Sequence, residues 1–208
     1  MITALVAGLL AGYGIAIPVG AVGTYLVALT ARTSLRVGSA AALGIATADG
    51  LYALAAVLGG SALAGLIAPV ARPLGVLSAL VLLTVAVLGA RRALRESAGG
   101  PVKTAVPMAA PRAYSTLLGI TLLNPVTIVY FAALVVGNKS AAAFDAVPQA
   151  SVFVLAAFCA SASWQLFLAF GGALLGRLVT GARGRLVTGL VSSAIVGGLA
   201  VKLLLSLL

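Results

Sequence analysis

Long apolar stretches separated by short polar segments make up most of this chain. An apolar stretch of about 20 residues is long enough to cross a bilayer as a helix. The pattern predicts six transmembrane helices, at Ile2–Ala31, Val37–Ala68, Leu74–Ala90, Ala113–Val136, Val147–Gly176 and Leu186–Leu208. The predicted fold class is therefore an all-α polytopic membrane protein.

Two of the longest apolar stretches are each broken by a proline at matching depth. The breaks lie at Ile17–Gly20, around Pro18, and at Leu123–Val126, around Pro125. A proline removes one backbone hydrogen bond, and lipid cannot replace it. Paired interruptions in the two halves of a membrane protein are typical of the binding site of a secondary transporter.

The chain divides into halves of three predicted helices each. We predict a single transmembrane domain, 1–208, made of repeat one (1–90), a flexible cytoplasmic linker (91–112) and repeat two (113–208). The linker prediction depends on the glycines and prolines of that segment. Because three is an odd number, the second half would enter the membrane in the opposite orientation, which is the arrangement of two inverted three-helix repeats.

Weak internal similarity supports the repeat. Gly12 precedes Pro18 by the same spacing as Gly119 precedes Pro125. The second helix of each half contains a pair of glycines, Gly59-Gly60 and Gly171-Gly172. When these pairs are aligned, two further pairs of positions correspond. These pairs are Asp49 with Ser161, and Tyr52 with Trp164.

Composition and charge narrow the class further. Hydrophobic residues make up 62% of the chain and charged residues 8%, and the mean hydropathy is +1.24. The net charge of +10 is concentrated in alternate loops, after predicted helices 1, 3 and 5. By the positive-inside rule these basic loops are cytoplasmic and both termini lie outside. The lipid bilayer, including its anionic headgroups, is therefore an expected partner, and nucleic acid is not.

Asp49 is the only acidic residue within a predicted span. It lies about twelve residues into the second helix, which places it near the middle of the bilayer at ~1.5 Å per residue. A charge there costs on the order of 3 kcal/mol, and we expect no Lys or Arg at similar depth on another helix. Asp49 is a candidate for proton coupling or for binding a substrate amine. The alternative is a protonated carboxyl that only joins two helices by a hydrogen bond.

The helix breaks are the second candidate site, because unpaired amides at a helix start can hold a carboxylate. The alternative is two ordinary proline kinks packed against their neighbours. Further polar side chains lie at plausible depth, although Ser and Thr often bond to their own helix and Trp often packs in the bundle. The predicted substrate- or proton-binding residues are Asp49, Asn124, Pro125, Pro18, Gly20, Thr24, Thr127, Tyr130, Ser161 and Trp164.

Small residues recur at every fourth position of the first helix, at Ala4, Gly8, Gly12, Ala16 and Gly20. Such a stripe lets another helix approach closely. We favour packing within the bundle over the alternative, a seam between two copies in a homodimer.

Some chemistry is excluded by residues that the chain lacks. It has no histidine and one cysteine, and a single buried acid cannot assemble a catalytic metal site with them. No nucleophile–base pair is visible. We therefore predict no enzyme activity, no metal and no cofactor.

The motifs resemble those of the lysine exporter (LysE/RhtB) family of amino-acid translocators. The first-half similarity covers Ala16–Gly20, Arg36–Gly38 and Ala42–Leu54, and the second-half signature covers Thr121–Ile128 with Phe131. This chain departs from the family pattern in having alanine at position 21, where a second proline is usual. The resemblance implies a bacterial plasma-membrane exporter of amino acids or related small metabolites, driven by the proton gradient.

These observations together predict a secondary transporter that exports small zwitterions by proton antiport with alternating access. The substrate would lie between the helix breaks, with its ammonium group near Asp49, and protonation of that carboxyl from outside would displace it. The alternatives are a passive channel, an exporter of another small solute such as a cation or a toxic compound, and a membrane scaffold.

Overall fold

The computed structural model describes residues 1–97, 108–124, 127–128, 130–131, 147–178 and 182–205. Within these ranges it describes every side chain except those of residues 59–71, 74–75, 78, 92, 96–97, 177–178, 182–185 and 188–189. The helices of these ranges run in the order α1 (Ile2–Ala16), α2 (Ala21–Arg32), α3 (Leu35–Ser97), α4 (Ala110–Leu122), α5 (Val147–Leu178) and α6 (Ala182–Leu205). No strand occurs in the part of the chain that is described, so the predicted all-α class is confirmed there.

The first predicted helix is broken, as the proline pattern indicates. It forms α1 and α2, whose axes are bent by 74° at the break. The N–H of Ile17 closes α1 on the carbonyl of Tyr13 at 2.9 Å, and the N–H of Thr24 opens α2 on the carbonyl of Gly20 at 3.0 Å. Pro18 has no N–H to continue the helix between these two bonds. The break therefore spans residues 17–20.

The second and third predicted helices form one helical stretch, α3, of 63 residues. A straight helix of this length would extend for ~95 Å at ~1.5 Å per residue. However, Val37 and Ala86 line the same cavity. The chain must therefore reverse its direction between them, and α3 consists of two antiparallel limbs, 35–58 and 76–97.

Helices extend into both ends of the predicted linker, 91–112. α3 continues to Ser97, because the alanine, leucine and arginine that dominate its last turns are strong helix formers. α4 begins at Ala110, with a proline in its first turn, where a missing N–H costs nothing. The glycine- and proline-rich centre of the predicted linker lies outside the described residues.

The second predicted break is also present. α4 ends at Leu122, and the chain is helical again at Thr127 and Ile128. The N–H of Ile128 donates to the carbonyl of Asn124 at 3.2 Å. The hydroxyl of Tyr52 donates to the carbonyl of Leu122. A side chain from α3 thus supplies the hydrogen bond that the end of α4 leaves unmade, as an apolar environment demands.

Length and apolar composition qualify two helical segments as candidate membrane spans among the described residues, Leu35–Leu58 and Val147–Gly176. The bent pair α1 and α2 adds a third if it is counted as one span. Large apolar side chains point outward on these elements, among them Leu10, Leu58 and Phe167, which are 69%, 78% and 63% exposed. Exposed apolar residues on this scale are typical of a surface that faces lipid.

The small-residue stripe of α1 packs against α5 within the chain. A Cβ placed on Gly8 would meet the carbonyl of Phe153 and the side chain of Ala156, and one on Gly12 would meet the carbonyl of Ala157 and the side chain of Ala160. The backbones of the two helices are therefore as close as only glycine permits. This is the internal packing that we favoured for the stripe.

This packing predicts different costs for two Gly→Ala changes. Gly12→Ala should destabilise the protein by about 1–3 kcal/mol, because the new methyl overlaps the backbone of α5. Gly198→Ala is the matched control, since no atom lies within 4 Å of a Cβ at that position. Apparent melting temperatures in detergent micelles should fall by several degrees for Gly12→Ala alone. Equal melting temperatures for the two variants would contradict the close contact between α1 and α5.

Candidate functional site

A cavity of about 300 Å³ lies between the two helix breaks. We call it the central cavity. Small-molecule sites begin at about this size. Its walls come from both breaks, both limbs of α3, α5 and α6, and its polar or charged lining residues are Asp49, Thr121, Asn124, Thr127, Gln165 and Lys202. The apolar part of the lining includes Pro18 and Val22.

Asp49 lies in the wall of the central cavity and is 2% exposed. The hydroxyl of Ser161, which is fully buried, donates to its Oδ2 atom at 2.6 Å. This bond fixes the carboxyl between α3 and α5 and leaves its other oxygen for a further partner. It also joins the two positions that correspond in the predicted repeat.

Gln165 lies one turn after Ser161 on α5 and is 5% exposed. Its side-chain oxygen is buried and has no hydrogen-bond partner. An unsatisfied buried acceptor costs about 1–3 kcal/mol. Because Gln165 lines the same cavity as Asp49, a cavity-bound donor such as an ammonium group could satisfy it.

The first turn of α2 forms another part of the wall, through Ala21, Val22 and Gly23. The N–H groups of a first helical turn have no partner within the helix, and no side chain caps this one. Gly20, at the N-cap, has no atom within 4 Å of its Cβ position. The positive end of α2 is therefore accessible from the cavity, where it favours an anionic group.

Lys202 also lines the central cavity, so that the wall containing Asp49 includes a basic residue of another helix. It is an exposed residue in the last turn of α6, one turn after Leu199, which lines the same wall. A long lysine side chain can extend along a wall from a helix end. Among the described residues, the lining of the cavity thus includes one acidic and one basic side chain.

Four of the predicted site residues are described but do not line the cavity, namely Ser161, which bonds to Asp49, and Thr24, Tyr130 and Trp164. The hydroxyl of Thr24 donates to the carbonyl of Gly20 at 3.0 Å, and that of Tyr130 donates to the carbonyl of Ala11 at 3.0 Å. Trp164 packs against Phe167 with ring centroids 5.5 Å apart, and its buried Nε1 has no partner.

The other predicted residues are mostly brought together. The residues that line the cavity are Asp49, Asn124, Pro18, Gly20 and Thr127. Ser161 does not line it but donates a hydrogen bond to Asp49. Pro125 lies outside the described residues. No group of three possible metal ligands occurs in the ranges that were searched.

Sequence reasoning missed Lys202 and left Gln165 out of the predicted site. Gln165 carries a readable signal, because it lies four residues after Ser161 and hence on the same helix face. For Lys202 the signal is weaker. A lone lysine near the end of an apolar helix is usually placed at the membrane interface.

The lining of the central cavity offers hydrogen-bond partners for both signs of charge, and we call these two sets of groups its poles. Asp49 and the oxygen of Gln165 can accept hydrogen bonds from a cation, whereas Lys202 and the start of α2 can hold an anion. The amide of Asn124 can serve either charge. A small zwitterion carries a cationic and an anionic group on one molecule, and a cavity of about 300 Å³ is large enough for such a molecule.

Comparisons with known proteins are limited to the level of the family. No curated protein and no solved structure matches the chain. Residues 14–207 match the model of the LysE type translocator family, which covers both helix breaks and every lining residue of the central cavity. The protein therefore belongs to the LysE type translocators, a family of membrane transporters.

Proposed function

We propose that this translocator exports amino acids or related small zwitterions across the bacterial plasma membrane by proton antiport. The observation that carries the proposal is the central cavity itself, whose lining includes a buried carboxyl, an unsatisfied amide oxygen, a lysine and a helix start. A cavity of this kind fits a solute with one ammonium and one carboxylate group.

Inverted repeats supply the architecture for this function, and mirrored contacts support them. Gly8 of α1 meets Ala156 of α5, and Gly44 of α3 meets Tyr114 and Leu118 of α4. In the register of the predicted repeat α1 corresponds to α4, and the first limb of α3 corresponds to α5. Each repeat therefore places its first helix against the second helix of the other. Two three-helix repeats crossing in this way would have the central cavity at their shared axis.

The substrate would bind across the two poles of the cavity. Its ammonium group would lie at Asp49 and the oxygen of Gln165, and its carboxylate would lie at Lys202, the start of α2 and Asn124. Each contact replaces water lost by the charged group, which is the main cost of binding a zwitterion in an enclosed site. Solutes lacking either charge would leave one pole unsatisfied.

Coupling would follow from competition for Asp49. A carboxyl that is 2% exposed cannot remain charged without a nearby cation at low cost. It would carry either a substrate ammonium or a proton. Loading of substrate from one side and of a proton from the other would give exchange of one for the other when the two repeats rock about the site.

Orientation follows from the basic helix ends. Arg32 ends α2, Arg36 opens α3, and Arg112 lies in the first turn of α4. These ends belong to one side of the bundle, which we assign to the cytoplasm by the positive-inside rule. Export would then start at this side and end at the side of the two termini.

The substrate class is tested by growth inhibition. Cells with and without the protein are exposed to single amino acids, their amides and other small toxic solutes. We expect the protein to protect against at least one amino acid and not against the corresponding amide, which lacks the carboxylate. Protection against no amino acid would overturn the proposed substrate class.

Asp49→Asn should abolish proton coupling. In proteoliposomes, an outward gradient of the amino acid found by that screen should drive proton movement in the opposite direction, followed with an internal pH dye. The variant should reduce this signal to that of protein-free vesicles, because an amide cannot alternate between a proton and an ammonium. Thr84→Val is the matched control, since that exposed hydroxyl bonds only to the carbonyl of Leu80 at 2.8 Å.

Two outcomes would contradict the coupling role. One is proton movement in Asp49→Asn equal to that in Thr84→Val. The other is transport by the unmodified protein that runs only downhill and never moves protons, which would support a passive channel.

Lys202→Gln should weaken binding of the carboxylate. We expect the KM for the exported amino acid to rise about 10-fold, which is ~1.4 kcal/mol and within the range of one charged hydrogen bond. Lys202→Arg should keep the KM within about two-fold, because it retains the charge. A KM that Lys202→Gln leaves unchanged would place the carboxylate elsewhere in the cavity.

A further inference from the structure

A second and larger cavity, of about 640 Å³, lies beside the central one. We call it the arginine cavity, because Arg32 is its only charged lining residue among the side chains that the structure describes. Hydroxyl groups make up most of the remaining polar lining, at Tyr25, Thr33, Ser34, Ser192 and Ser193. No acidic residue lines it among the described residues.

The two cavities are stacked along the same helices. On α2, the last residue that lines the central cavity is Gly23, and the first that lines the arginine cavity is Tyr25. On α6, Leu199 lines the central cavity and Val196 lines the arginine cavity. On the second limb of α3, Leu82 lines the central cavity and the arginine cavity starts at Val85. In each helix the arginine cavity is nearer the end that carries the arginines. Any solute moving along this axis from that side would therefore meet the arginine cavity first.

An apolar layer separates the two cavities. Leu26 of α2 is fully buried and Leu82 of α3 is 1% exposed. Both belong to one hydrophobic cluster with Ala41, Ile45 and Val196. A charged solute passing between the cavities would have to lose its water in this layer. Polar groups on each side of the layer would lower that cost.

The Arg32 side chain is positioned within the cavity wall. A Cβ built on Gly89 would lie 2.8 Å from the Ser193 hydroxyl and 3.7 Å from Nη1 of Arg32. The glycine thus leaves room in which a guanidinium and a hydroxyl from two other helices come together. A guanidinium flanked by hydroxyl groups is a donor set that suits a carboxylate.

The surrounding charge acts in the same direction. Arg36, Arg91, Arg95 and Arg112 are exposed at the helix ends on this side. Their field adds to that of Arg32. Small anions should therefore accumulate in the arginine cavity, and small cations should be depleted from it.

We propose that the arginine cavity is a separate binding site for small carboxylates, in which Arg32 and the Ser193 hydroxyl receive the anionic group before the solute reaches the central cavity. This inference relies on the proposed export direction only for the order of the two sites. It predicts charge selection on the cytoplasmic side that does not depend on Asp49.

Cysteine labelling tests the site without transport. Ser192→Cys, at a lining residue to which the proposal assigns no role, is placed in a Cys159→Ala background, which removes the one native cysteine. The purified protein is treated with methanethiosulfonate reagents that carry either a sulfonate or a trimethylammonium group. Relative to their rates with a free thiol, the anionic reagent should react about 10-fold faster, and this preference should shrink at high salt.

Arg32 variants then assign the preference to one residue. Arg32→Gln should reduce it to below about two-fold, whereas Arg32→Lys, which keeps the charge, should retain most of it. Arg36→Gln is the matched control, because Arg36 is an exposed arginine like Arg32 but does not line the cavity. Acetate should slow labelling by the anionic reagent more than chloride at equal ionic strength, and Arg32→Gln should remove this protection.

The inference is overturned by equal normalised rates for the two reagents, by a preference that Arg32→Gln leaves unchanged, or by acetate that protects no better than chloride. These readouts are independent of the proposed function. If no amino acid is exported but the preference and the acetate protection depend on Arg32, the carboxylate site stands and the proposed substrate class fails.

Discussion

The structure depends on one constraint, namely that a backbone hydrogen bond broken within an apolar helix must be replaced by the protein or by a polar cavity. Both proline breaks obey it. At the second break a tyrosine from α3 bonds to the terminal carbonyl of α4. At the first, the start of α2 lines the central cavity. Residues of both breaks line the central cavity, which is the candidate site.

The same constraint explains how polar side chains are distributed. Away from the central cavity, hydroxyl groups return to their own helix, as Thr30, Thr47 and Thr84 do by bonding to the carbonyl four residues earlier at 2.8 Å. Such groups need no outside partner. Within the cavity, the oxygen of Gln165 is left unsatisfied. Of the two buried polar atoms that lack a partner in the described part of the chain, Gln165 Oε1 and Trp164 Nε1, only the first belongs to a residue of the central cavity, where a solute can supply the hydrogen bond.

Much of this arrangement could be predicted from the sequence, because apolar length, proline position and charge are local properties. The breaks at Pro18 and Asn124 were found in this way, as was Asp49 at their level. The reversal between the two limbs of α3 was predicted as a loop between two helices, but the helical continuity of this segment was not. The place of Lys202 in the cavity wall could not be predicted, since it depends on how distant segments pack. Tyr130 and Trp164 were predicted from their depth alone and do not line the cavity. Depth does not decide which face of a helix a side chain occupies.

The central claim is that Asp49 lies where the exported solute binds. It is tested most directly by the rate at which dicyclohexylcarbodiimide modifies Asp49, measured by mass spectrometry of the purified protein with and without an amino acid against which the protein protects cells. The account predicts modification at Asp49 that abolishes transport and that a saturating concentration of the amino acid slows. A modification rate that this amino acid leaves unchanged would contradict it.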